Sequence, residues 1–267
     1  MNAPALVLCA HGTRDRAGAA TTREIASRLR IMRPELTVRE AYVDVQQPQV
    51  DEVVRRVESA GGTAVVVPLM LGAGYHVQVD IAAAVDGSRS VATEALGPHP
   101  TLAAALRDRL TEAGVPADAA VVLAAAGSSR ALSEQQTRDM AAILRAERTG
   151  PVVAGFGSAA YPRVDDAVAS LREAGEERVA VASYLIGRGY FYDRLHEAGA
   201  DVLTEPLGAH PAVITRVLEL YDAARSGRPG AATGCASGPT EPGPSRTATS
   251  RSPLSGLGRG VLAALRA

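Results

Sequence analysis

Residues 6–12 read LVLCAHG, and the same pattern returns as VVLAAAG at residues 121–127. Three more blocks follow in the same order. AYVDVQQPQVDEVV, from Ala41, returns as GFGSAAYPRVDDAV from Gly155; GAGYH, ending at His76, returns as GRGYF, ending at Phe191. TEALGPHP, from Thr93, returns as TEPLGAHP from Thr204. Blocks kept in one order at a nearly constant spacing mark an internal duplication with a unit of roughly 110 residues.

Each unit alternates short apolar runs with helical patterns. Leu6–Ala10, Ala64–Met70, Ala119–Ala125 and Val179–Tyr184 read as buried strands, and VREAYVD, ending at Asp44, as another. Ala19–Met32, Pro48–Ala60, Ser133–Glu147 and Pro162–Ala174 carry apolar residues at helical spacing. Pro48 and Pro162 fit first-turn positions, and Ser133 fits an N-cap. Near-continuous apolar strands separated by helices predict parallel sheets covered on both faces. The expected fold is α/β, with two similar domains, each a parallel sheet flanked by helices. The domains are expected at residues 1–115 and 116–226, as two lobes around a cleft. Residues 227–267 are rich in Gly, Pro, Ser and Thr, cannot bury enough surface to offset ordering, and read as a disordered tail.

Composition removes whole classes of function. The chain has 267 residues and a formal net charge of -1. That balance argues against a nucleic-acid binder, which usually carries a basic excess. No apolar run approaches the roughly 18–20 residues of a membrane span. A cytoplasmic protein without membrane attachment, and a monomer, are expected. All 28 basic residues are arginine, so Schiff-base, pyridoxal and P-loop lysine chemistry are excluded. GTRDRAG after the first strand lacks the dinucleotide glycine spacing, and no organic cofactor is expected. Cys9 and Cys235 are too few for a disulfide framework or a four-cysteine metal site, and Cys9 reads as a buried thiol.

Comparing the two copies separates scaffold from chemistry. The glycines and the LG-x-HP block persist in both, so His99 and His210 read as structural; His196 reads as a surface residue. By contrast His11 becomes Ala126, Asp44 becomes Ser158 and His76 becomes Phe191. All three ionisable residues belong beyond the carboxyl ends of strands, where open parallel sheets bind ligands. Two imidazoles and a carboxylate suit a divalent first-row metal, and His11 and His76 serve equally as bases near neutral pH. Arg14, Arg16, Arg130, Arg188 and Arg194 surround the same region, which suits a ligand bearing many carboxylates.

AHGTRD at the first strand end, AYVDVQQP at the second and PLMLGAGYHVQVDI at the third resemble the CbiX-type sirohydrochlorin chelatases of the class II tetrapyrrole chelatase superfamily. The resemblance spans both copies up to about Ser226 but not the tail. It implies insertion of Fe²⁺ or Co²⁺ into sirohydrochlorin for siroheme or cobalamin synthesis, with the metal as substrate. It further implies that His11, His76 and Asp44 bind and deliver the metal, the acidic position being more often Glu in such proteins. Arg14, Arg130 and Arg188 would then meet substrate carboxylates, and Tyr75, Tyr190 and Phe191 the macrocycle face. A nickel chelatase of the same family, and a two-lobed protein that binds metal or tetrapyrrole without catalysis, are the competing readings.

Overall fold

The apolar runs form strands because their Val, Leu and Ala side chains can be buried on both faces at once. A computed structural model describes residues 3–75 and 77–227. His76, Cys235 and the expected tail from residue 228 onward lie outside the described residues.

The first half runs β1 (Ala5–Ala10), α1 (Arg16–Met32), β2 (Val38–Tyr42), α2 (Val50–Ser59) and β3 (Ala64–Pro68). A π-helical turn, Val77–Ile81, continues into α3 (Ala82–Val85), followed by β4 (Val91–Ala92) and α4 (Pro100–Glu112). The second half repeats the pattern as β5 (Ala120–Ala125), α5 (Ala131–Ala146), β6 (Val152–Phe156) and α6 (Val164–Glu173). It ends with β7 (Val179–Ser183), α7 (Tyr190–Leu195), β8 (Val202–Leu203) and α8 (Pro211–Arg225). The two sheets have the orders β2-β1-β3-β4 and β6-β5-β7-β8, and every pairing is parallel. The duplication is thus one of topology as well as sequence. No helix among the described residues is long and apolar enough to cross a membrane.

Three local expectations are corrected. Pro48 and Pro162 do not open their helices; each precedes the N-cap, Gln49 or Arg163. Their carbonyls instead accept from Tyr42 N and Phe156 N, both at 3.0 Å, folding the chain back onto the strand just left. Ser133 is an internal residue of α5, whose N-cap is Arg130. Asp44 lies past the end of β2, in the bend that this fold-back creates. His99 and His210 are structural as expected. Each caps a helix, with Nδ1 accepting from Thr101 N at 3.3 Å and from Ala212 N at 3.2 Å. Proline follows each at the first helical position, where no N–H is needed.

The halves exchange their last helices. Although α4 belongs to the first repeat, it packs on α5 and β7; α8 packs back on β3 and α1, and the two helices also touch. A single apolar cluster therefore runs through both halves, from Leu6 and Leu8 through Leu102 and Leu106 to Leu123, Val217 and Tyr221. Smaller clusters lie under α2 and α6 on the opposite sheet faces.

Candidate functional site

The carboxyl ends of β1 and β2 are tied together first by backbone. Asp44 N donates to His11 O at 3.0 Å. Gly12, at φ +95°, follows His11 so closely that a Cβ there would lie 2.2 Å from Asp44 O. Only glycine combines that left-handed conformation with so close an approach. Gln46 completes the junction: its side-chain Oε1 accepts from Thr13 N at 2.9 Å, while its N donates to Asp44 O at 2.5 Å. Its role has no signal in residue type or periodicity, because it depends on a loop-to-loop contact.

His11 and Asp44 are therefore brought to one place. The His11 Nδ1 lies 3.2 Å from Gly12 O. A carbonyl only accepts, so this contact is a hydrogen bond in the tautomer that carries its proton on Nδ1. One oxygen of the exposed Asp44 carboxylate accepts from Val45 N at 2.7 Å, bracing a residue at φ 60°. The third expected ligand, His76, lies outside the described residues. Among those described, no cluster of three His, Cys, Asp or Glu could hold a metal.

The second half keeps this junction and drops its chemistry. Gly127 stands at φ +91°, with a Cβ there only 1.9 Å from Ser158 O, and Ala159 repeats the positive φ of Val45. Ser158 Oγ donates to Ala126 O at 2.9 Å. The glycine's close approach and the positive φ persist, while Ser158 Oγ takes the carbonyl that the Asp44 backbone N–H takes in the first half.

The remaining expected residues divide. Tyr75, half exposed, meets Arg130 across the two halves, the guanidinium carbon 5.3 Å from the ring centroid. Arg14 is exposed in the turn leading into α1. Arg188 is held by Glu205, donating from Nε at 3.0 Å and Nη2 at 2.5 Å, and these bonds raise its pKa further. Tyr190 packs edge-on against Phe191, with centroids 5.4 Å apart, and its hydroxyl accepts from Arg194 Nη1 at 3.3 Å. Phe191 turns into its own half, lining a cavity of about 210 Å³ with Phe156, Arg163 and Arg194. Thus His11 joins Asp44 and Arg130 joins Tyr75, whereas the side chains of Arg188, Tyr190 and Phe191 are engaged within the second half, with Arg188 O lying against Gly18 of α1. Cys9 is buried in β1 and its thiol is pushed up to about 12, by burial first and by the Asp80 charge second. An un-ionised thiol is a poor nucleophile and a poor ligand.

The CbiX family model matches residues 5–113 and again 120–224. No curated protein sequence matches the chain significantly. Among solved structures, SirB from Bacillus subtilis with Fe³⁺ is similar at 18% identity and TM-score 0.73, covering 84% of this chain and 96% of SirB. The sirohydrochlorin chelatase SirB from Bacillus subtilis subspecies spizizenii, in complex with cobalt, aligns at 17% identity and TM-score 0.70, over 84% and 96% of the two chains. CbiX, described as the terminal enzyme of siroheme biosynthesis in denitrifying bacteria, aligns at 19% identity and TM-score 0.60, over 82% and 99%. At these identities the likeness is one of fold.

Proposed function

The chain belongs to the CbiX family, and on that premise we propose that it inserts a divalent metal, Fe²⁺ or Co²⁺, into sirohydrochlorin or a related polycarboxylate tetrapyrrole. The observation that carries this reading is the His11–Asp44 junction at the strand ends, repeated in the second half without ionisable side chains. A scaffold-only role gives no reason for that difference between the copies. The copies are assigned to residues 1–115 and 116–226.

Insertion exchanges two pyrrole protons for one M²⁺, so the site needs both a docking place for the metal and a base. His11, His76 and Asp44 are assigned to the metal. Such a set is open, and it releases its ion more readily than a closed four-ligand site. His11 and His76 are also the groups assigned to take the pyrrole protons. Arg14, Arg130 and Arg188 are assigned to the carboxylates, and Tyr75, Tyr190 and Phe191 to the ring face. The iron and cobalt seen with SirB support a first-row metal. Fe²⁺, Co²⁺ and Ni²⁺ share these ligands, so supply selects among them, and with it a siroheme or cobalamin destination.

The test is anaerobic absorbance of the purified protein with sirohydrochlorin and Fe²⁺, Co²⁺ or Ni²⁺ supplied separately. Metal-dependent spectral conversion with turnover is expected. His11→Ala and His76→Ala should each abolish most of it, and Asp44→Ala should weaken it less. Wild-type rates in both folded histidine variants would sink the assignment.

A further inference from the structure

The loop between β3 and the π-helical turn, residues 71–75, immediately precedes His76 in the sequence. It is held at alternate residues by the second half. Tyr184 donates its hydroxyl to Leu71 O at 3.1 Å. Gln136, on α5, accepts from Ala73 N through Oε1 at 2.7 Å. Arg130 covers the ring of Tyr75. Gly72 permits the approach, since a Cβ there would stand 3.0 Å from Ser133 Oγ.

The duplication supplies a control within the molecule. At the repeat offset of 115, Tyr184, Gln136 and Arg130 correspond to Leu69, Thr21 and Asp15. Leu69 has no hydroxyl to donate. Thr21 donates to Ala17 O at 3.1 Å within its own helix, and Asp15 accepts from Gly18 N at 2.8 Å as the cap of α1. Toward the second half's own loop, Thr21 offers only packing, against Gly187. Among the described residues the polar grip runs one way, from the copy without ionisable site residues onto the copy that has them.

We propose that Gln136 is a positioning residue for the 71–75 loop, so that the second half sets the geometry of the first half's site as well as walling it. This rests on the metal-insertion reading, and its first readout does not. A glutamine oxygen on a part-buried amide removes one escape route for the loop; without it the amide must find water and the loop gains alternative paths.

The experiment compares Gln136→Leu, which keeps shape without an acceptor, with Gln136→Glu, which keeps an acceptor oxygen. Hydrogen exchange by mass spectrometry should show faster exchange in peptides covering 71–75 for Gln136→Leu, and wild-type exchange there for Gln136→Glu. In the insertion assay Gln136→Leu should lower kcat about threefold to tenfold, the range of one hydrogen bond, with KM for the tetrapyrrole held within about twofold. Gln136→Glu should restore kcat. Tyr184→Phe, which deletes only the Leu71 contact, should move both readouts the same way and guards against misfolding of the first variant. Unchanged exchange in folded Gln136→Leu overturns the grip; faster exchange with unchanged kcat overturns the positioning role. A wild-type protein that inserts no metal overturns the functional reading instead, while the exchange result still decides the grip.

Discussion

Arg216 donates from Nε to Leu96 O at 2.9 Å, although 120 residues separate them and they belong to different halves. The arginine is buried, and its Nη2 also reaches Glu94 at 2.9 Å. Arg109 does the same in reverse, bonding Pro206 O and Leu207 O, both at 3.0 Å. Leu96 and Leu207 are equivalent in the repeat, so each exchanged helix carries an arginine that satisfies the same carbonyl of the other half. Arg216→Met keeps the apolar stem and removes the charge-assisted donor from a buried site. It should cost about 2–3 kcal/mol in urea unfolding. A change under about 0.5 kcal/mol would show that the helix exchange does not depend on this contact.

Gly12→Ala tests the junction beneath His11. The left-handed backbone costs an alanine about 1–2 kcal/mol, and the collision with Asp44 O adds to it, for about 2–4 kcal/mol in total. Gly61 is the control: it stands at φ +81° with nothing within 4 Å of its notional Cβ. Gly61→Ala should lose only the backbone part and keep activity, whereas Gly12→Ala should lose activity beyond its loss of stability. Equal effects at the two positions would remove the argument for close approach.

The two histidine caps make stability depend on mild acid. Burial holds the His99 and His210 pKa values below the ordinary histidine range, with the charges of Arg216 and Arg109 next in weight. Because the folded value is the lower one, the unfolded chain takes up the proton first. Stability is therefore full above about pH 6.5 and falls as pH drops through that value toward the folded pKa. Protonation at Nδ1 also abolishes the cap acceptor. Melting temperature should be level between about pH 8 and 7 and decline toward about 5.5. The double variant His99→Asn, His210→Asn keeps cap acceptors that do not titrate and should flatten that decline. An identical decline in the double variant would place the acid sensitivity elsewhere.

The duplicated blocks carried most of the fold in plain view, because a repeated strand, glycine turn and helix must recur as structure. His99 and His210 were readable as structural for the same reason: a proline follows each in both copies. The strands β4 and β8 were not readable, since two residues form no apolar run. Nor was the exchange of α4 and α8 visible, because an amphipathic stripe says that a helix covers a sheet but not which one. At the site, His11 and Asp44 were legible as residues lost together. Gln46 and Gln136 were not, because each acts through one side-chain oxygen on a distant amide. Arg188, read as a ligand contact, is occupied by Glu205, 17 residues on, a pairing that no local pattern announces.

That occupancy separates two arginines that look equivalent in the sequence. The Arg130 guanidinium rests on the face of Tyr75, a contact that leaves its N–H edge able to meet a carboxylate. A substrate carboxylate reaching Arg188 competes with Glu205 for two hydrogen bonds, so Arg188 should add less net affinity than Arg130. Arg130→Ala should therefore raise KM for the tetrapyrrole by up to about tenfold, at about 1.4 kcal/mol per decade, with kcat held. Arg188→Ala should raise it by less than about threefold, within the range of an exposed ion pair. Steady-state kinetics on the two variants decides the matter. If Arg188→Ala gives the larger rise, Glu205 releases its partner when substrate binds, and the second half offers that arginine rather than Arg130 to the carboxylates.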